Sequence, residues 1–132
     1  MKRKEKTMSL RDKILSVKDV KIEKMNIPEW GVTIGVRVIS GIARDEWQSF
    51  YQSLMDSLGD KPLLPGSKEY REIKKETLRL TVVDPDTCEP IFSKEDMDAV
   101  YEKNGEILER VCSVALRVNG LGAENVKETA KN

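Results

Sequence analysis

An α+β fold is predicted by three features of the chain. A period-two run of β-branched residues occupies Val32 to Val38, two longer stripes of helical period follow it, and serine stands at the head of each helical stretch. Together they imply an N-terminal β-hairpin, with room for a third short strand, packed against three to four helices. The last helix is expected to be long and amphipathic. At 132 residues the chain is read as one domain with a modest core. Residues 1–8 form a charged lead, 9–122 the globular domain, and 123–132 a short polar helical tail.

Lys+Arg and Asp+Glu number 23 each, so no net field draws the chain to nucleic acid or to a membrane surface. No apolar run approaches the roughly 18 residues of a membrane span. The lead, MKRKEKT, has no apolar stretch behind it and does not read as a secretory signal. Histidine is absent, which removes the commonest general base and metal ligand. Cys88 and Cys112 are too few and too far apart for a zinc cluster and are read as free thiols.

In chain order, Ser9 and Asp12 have capping spacing, and Leu10, Ile14 and Val17 give one apolar edge to a helix of about two turns. So short a helix needs a surface to dock on. Val20 and Ile22 alternate with charged neighbours, and Val32, Ile34, Val36 and Val38 alternate over a longer run. Pro28-Glu29-Trp30-Gly31 connects these two strands as a hairpin turn. Trp30 at the tip either meets a partner or folds back on the domain. Arg37, opposite the valine face, points to solvent or to a partner.

Ser40-Gly41 opens a helix whose face carries Ala43, Trp47, Phe50, Tyr51, Leu54, Met55 and Leu58. Three of the seven aromatics lie there, which marks the face as core. The loop from Asp60 to Gly66 carries an apolar pair, Leu63-Leu64, which covers the core or contacts a partner. Ser67 begins the next helix, through Tyr70, Ile73, Thr77 and Leu78. Leu80 to Val83 is its last turn or a short strand, read as helix to about Leu80 and extended chain after it. Asp84, Asp86 and Glu89 sit in a turn too short for a calcium loop and lacking its glycine and terminal glutamate.

The longest stripe runs from Ser93 to Gly120, with apolar residues at Met97, Val100, Tyr101, Ile107, Leu108, Val111, Val114, Ala115 and Val118. Asn104-Gly105 interrupts it, either as a bend or as a place where subunits meet. Gly120 is suited to positive φ after the cap, with Leu121 folding back on Leu116. The aromatic face of the Ala43 to Leu58 helix and the hairpin's valine face are expected to cover this stripe, which makes the long helix the internal spine. Beyond Gly122, Val126 is the one obvious apolar anchor.

No group of nucleophile, base and oxyanion donors appears, and no glycine-rich phosphate loop. The acids Glu95, Asp96 and Asp98 suit the first turn of a helix rather than a catalytic pair. The residues thus indicate a binding protein, with Trp30, Arg37, Leu63, Leu64 and Val126 as candidate partner contacts and no cofactor, metal or small-molecule substrate. A basic arm at Lys2-Arg3-Lys4 supplies the alternative reading, a small nucleic-acid-binding regulator.

The ordered set Ser9-Leu10-Arg11-Asp12, Pro28-Glu29-Trp30-Gly31, Ser40-Gly41 with Arg44-Asp45, Asp84-Pro85-Asp86, Pro90-Ile91-Phe92-Ser93 and Asn119-Gly120-Leu121-Gly122 resembles one family. It looks like the tail assembly chaperones of long-tailed phages and of prophages in Gram-positive bacteria, over Met8 to Asn132. Cys88 departs from the pattern, where glycine is expected in the turn. The resemblance implies a non-enzymatic protein that binds the tape measure protein, keeps it soluble and helps tail tube subunits assemble around it. It further implies action in the host bacterial cytoplasm and absence from the finished virion. Self-association is compatible with that role.

Overall fold

The structure, a computed structural model, describes residues 8–121. The order of elements is α1 (Leu10–Ser16), β1 (Ile22–Ile27), β2 (Val32–Arg37), α2 (Gly41–Leu58), α3 (Lys68–Thr81), β3 (Val82–Val83), a 3₁₀ turn (Lys94–Asp96) leading into α4 (Met97–Val100), and α5 (Gly105–Asn119). The strands form one antiparallel sheet in the order β1-β2-β3, so the short third strand is present. The charged lead, the polar tail and Val126 lie outside the described residues.

Serine caps hold as expected. The Ser9, Ser40 and Ser67 hydroxyls accept the backbone N–H of Asp12, Ala43 and Tyr70 at 3.1, 3.2 and 3.1 Å. The hairpin register pairs Ile22 with Arg37 and Ile27 with Val32, leaving Pro28–Gly31 as its turn. β1 therefore begins at Ile22, while Val20 stays exposed in the connection from α1. Ile34 and Val36 face the main core, where they meet Ile27, Leu78, Val82 and the α5 residues Ile107, Leu108, Val111 and Ala115. On the sheet's other face Gly35 makes room: a Cβ there would come within 2.7 Å of Ile22 Cγ2 and 3.1 Å of Val83 Cγ2.

The stripe from Ser93 to Gly120 is not one helix. Asn104 ends the run by capping α5, its Oδ1 accepting from the N–H of Glu106 at 2.9 Å and of Ile107 at 3.3 Å. An asparagine inside a helical pattern thus serves as the start of a second helix. At its other end Gly120 adopts φ 65°, and the Leu121 N–H reaches the Leu116 carbonyl at 2.9 Å. Leu116 packs on the main core and Leu121 on a second cluster.

That second cluster lies between α2 and α3, around Ile39, Trp47, Ile73 and Leu80. Trp47 stacks on Tyr51 at 5.2 Å between ring centroids and donates its Nε1–H to the Thr77 hydroxyl at 2.8 Å. The expected cover of α5 is therefore corrected. α5 is packed by α3 and β2, and the aromatic face of α2 packs on α3. Only Trp47 of α2 is fully buried, whereas α3 buries Ile73, Glu76, Thr77, Leu78, Leu80 and Thr81. α3 is the spine of the molecule, because it alone supplies buried residues to both clusters among the described helices.

Candidate functional site

The hairpin tip is built from a tight turn in which the Trp30 N–H donates to the Ile27 carbonyl at 3.0 Å and the Gly31 N–H to the Pro28 carbonyl at 3.1 Å. Arg110 of α5 reaches Glu29 at 3.2 Å and fixes the tip against the body. Trp30 is half-buried and packs against the main core, so it folds back in part while one side stays open.

Across from the tip, the chain after β3 turns back on itself. The Cys88 N–H meets the Asp84 carbonyl at 2.7 Å, and the Asp84 N–H meets the Glu89 carbonyl at 2.9 Å. Asp84 Oδ1 accepts from the N–H of Asp86 at 2.8 Å, so this carboxylate organises the turn. Among the described residues no cluster of metal-ligating side chains occurs. The Ile91 N–H then joins the Val82 carbonyl at 3.3 Å, which lays Ile91-Phe92 beside the sheet. Cys88 takes φ 65° in this turn. The tight geometry survives without glycine, and the Cβ is strained there. Cys88→Gly is expected to raise stability by about 1 kcal/mol, read as a higher urea midpoint at unchanged m.

Between tip and turn lie two adjoining recesses of about 300 Å³ and 640 Å³ that share Trp30, Ile91, Phe92 and Val100 as walls. Their linings are mainly apolar, with Asp84, Asp96 and Lys103 at the margins. Ile91 is 42% exposed and Phe92 half-buried. The α4 wall is anchored by buried Met97 and Val100 and by Lys75 of α3, whose Nζ reaches Asp98 Oδ1 at 2.6 Å. This hydrogen bond holds the Asp98 carboxyl below its ordinary range and raises Lys75. A depressed carboxylate adds its stability above its unfolded value and loses it as pH falls.

The sequence candidates divide. Trp30 lines the groove. Arg37 Nε donates to the Leu80 carbonyl at 2.9 Å and joins β2 to the end of α3. Leu63 packs on the second cluster as core cover, and Leu64 beside it is 56% exposed, away from the groove lining. In the sequence Ile91 and Phe92 stand out only as an apolar pair directly before Ser93. An apolar pair bracketed by Pro85-Asp86 and Ser93 was the signal for a second wall. Cys112 is buried in the main core, which pushes its thiol up to about 11 and leaves it inert.

A family model described as phage tail assembly chaperone matches residues 9–132. Among solved structures, the chain is similar to one described as the structure of bacteriophage HK97 tail assembly chaperone, with 21% identity and a TM-score of 0.52. The match covers 81% of this chain and 90% of that chain, and at that identity the likeness is one of fold. No curated protein matches significantly. The family pattern thus spans both groove walls and every described helix, and the chain belongs to the phage tail assembly chaperone family.

Proposed function

We propose that this chain binds the tape measure protein during tail morphogenesis, keeps it soluble, and helps recruit tail tube subunits around it. The observation that carries the reading is the apolar groove between Trp30 and Ile91-Phe92, open on a chain whose family assembles tails. A long helical client presents apolar side chains at spacings of three and four, and such a stripe is what a groove of this kind accepts. Copies ranged along one extended client add avidity, so each contact can be weak. The setting is the host bacterial cytoplasm, and the protein leaves before the virion is complete. Among the described residues no helix is long and apolar enough to cross a membrane.

Co-expression with the tape measure protein of the same genome is expected to raise that protein's soluble fraction and to co-purify the pair. Ile91→Glu places a charge in the groove at a position exposed enough to spare the fold. It is expected to weaken client binding by about 2 kcal/mol or more, roughly 30-fold in Kd. Unchanged solubility of the client, or unchanged affinity in the folded variant, counts against the reading.

A further inference from the structure

The two recesses of the groove differ in depth, and each calls for a different side chain. The smaller, about 300 Å³, has Trp30 and Phe92 in its walls and the buried core residues Leu78, Leu108 and Val111 in its lining. An apolar cavity of about 150 Å³ accepts a benzene ring, so this recess has room for a whole indole or benzyl group. Leucine leaves part of it empty and forfeits contacts with the core residues. Aromatic rings in the walls favour an aromatic guest further, because ring pairs attract beyond the area they bury. The second recess, about 640 Å³, shares those walls and reaches Ala99 of α4 without touching Leu78 or Val111. It is a shallow shelf for an aliphatic side chain.

Charge describes the rest of the guest. Asp84 stands at the margin of the deep recess, and Asp96 and Lys103 at the margin of the shelf. None of the three has an ion-pair partner among the described residues, whereas Asp98 and Glu29 are held by Lys75 and Arg110. Asp84 Oδ1 accepts from the N–H of Asp86 and Thr87, and Asp96 Oδ2 from that of Ser93. The second oxygen of each carboxylate is left for a donor from outside. A basic side chain beside the anchor therefore meets Asp84, and an acidic one on the shelf side meets Lys103. We infer that the groove is an aromatic-anchor site for a client helix. Phenylalanine or tryptophan fills the deep recess, an aliphatic residue one turn on lies on the shelf, and a basic and an acidic residue flank them. The inference rests on the client-binding role proposed above and names the contact by which the client is gripped.

Fluorescein-labelled, alanine-rich peptides of about 20 residues, read by anisotropy against the full chain, test this. The parent carries Arg, Phe, Leu and Glu in that order on one helix face, at spacings of three or four. It is expected to bind with a Kd of about 100 µM; replacing its Phe by Leu weakens it about five-fold, and by Ala about 30-fold. Val32 lines the deep recess, is 45% exposed, and shares the face of β2 that carries Ile34 and Val36. Val32→Phe fills the recess from within and, folded by circular dichroism, is expected to lose the preference for Phe over Leu. Lys103→Glu is expected to weaken the parent about three-fold, and exchanging the peptide's Glu for Lys to restore it. A parent that does not bind at about 1 mM chain overturns the inference. So do equal affinities for the Phe and Leu peptides, a preference that survives in folded Val32→Phe, or a charge exchange without rescue. A chain that captures the tape measure protein but does not discriminate the peptides sinks this inference alone; one that discriminates them but captures no tape measure protein sinks the proposed function alone.

Discussion

Asn119→Ala is expected to lower the unfolding free energy by about 3–4 kcal/mol, measured by urea denaturation at constant m. The sequence marks Asn119 only as a residue before a glycine stop. In the fold it is a buried junction. Its Oδ1 accepts from the Ile39 N–H at 2.8 Å, and its Nδ2 donates to the Arg37 carbonyl at 3.0 Å and the Ala115 carbonyl at 2.9 Å. Its own carbonyl accepts from Arg44 Nη1 at 2.8 Å. One side chain therefore ties the end of α5 to the exit of β2, and its backbone ties it to α2. Alanine removes three hydrogen bonds and strands the Ile39 donor and the Arg37 acceptor, at about 1–3 kcal/mol for each buried group left unpaired. Asn119→Asp is expected to be no milder, because it restores the acceptor but turns a carboxylate toward two carbonyls. A loss below about 1 kcal/mol in the alanine variant would show that water replaces the amide at little cost.

Arg79→Met is the second large effect, about 3 kcal/mol. Glu76 is 6% exposed, and Arg79 grips it twice, Nε to Oε1 at 3.1 Å and Nη2 to Oε2 at 2.7 Å. The same Nη2 reaches Glu46 of α2 at 2.6 Å, so the cation also fastens α2 to α3. Removing Arg79 takes both charge-assisted hydrogen bonds from a buried carboxylate, in a recess it shares with Phe50, Lys75 and Lys94. The double variant Glu76→Met/Arg79→Met removes charge and partner together and is expected to return to within about 1 kcal/mol of wild type. Equal losses in the single and double variants would show that the pair contributes by packing and that its charges are immaterial.

The local signals were legible because they act within one turn. Serine at the head of a helix, glycine after its end, and valine at period two each act through neighbours in sequence, and Ser40, Gly120 and Val36 behave as read. The extended chain after Thr81 was legible too, since β-branched residues before a proline leave the helix. The misreadings arose where a pattern was right and its partner was wrong. Val100 and Ile107 stand seven residues apart, two helical turns, so the stripe looks continuous across the turn that Asn104 interrupts. Arg37 alternates outward as period two requires, and its guanidinium meets the Leu80 carbonyl near the end of α3, a contact that alternation alone does not reveal. α3 is central although Glu76, Thr77 and Thr81 are polar, because each finds a partner inside; the Thr77 and Thr81 hydroxyls donate to the Ile73 and Thr77 carbonyls at 2.7 Å. Half of the groove, at Trp30, was visible as a large apolar residue in a turn. The Ile91-Phe92 wall was not, because its position depends on a bridge from Val83 to Pro90 that no periodicity encodes.

The division of the interior into two clusters, joined through α3, sets an order of opening. α2 leans on that helix through one buried indole and a shell of half-exposed side chains, while the sheet, α3 and α5 share the larger interior. Detaching α2 dismantles the smaller cluster and leaves the larger intact. Amide protons of α2 are accordingly expected to exchange through a partial excursion below the free energy of complete unfolding, with those of α3 and α5 protected until the global event, as native-state hydrogen exchange would read. The hairpin groove belongs to the slow half, so it keeps its shape while the rest of the molecule breathes.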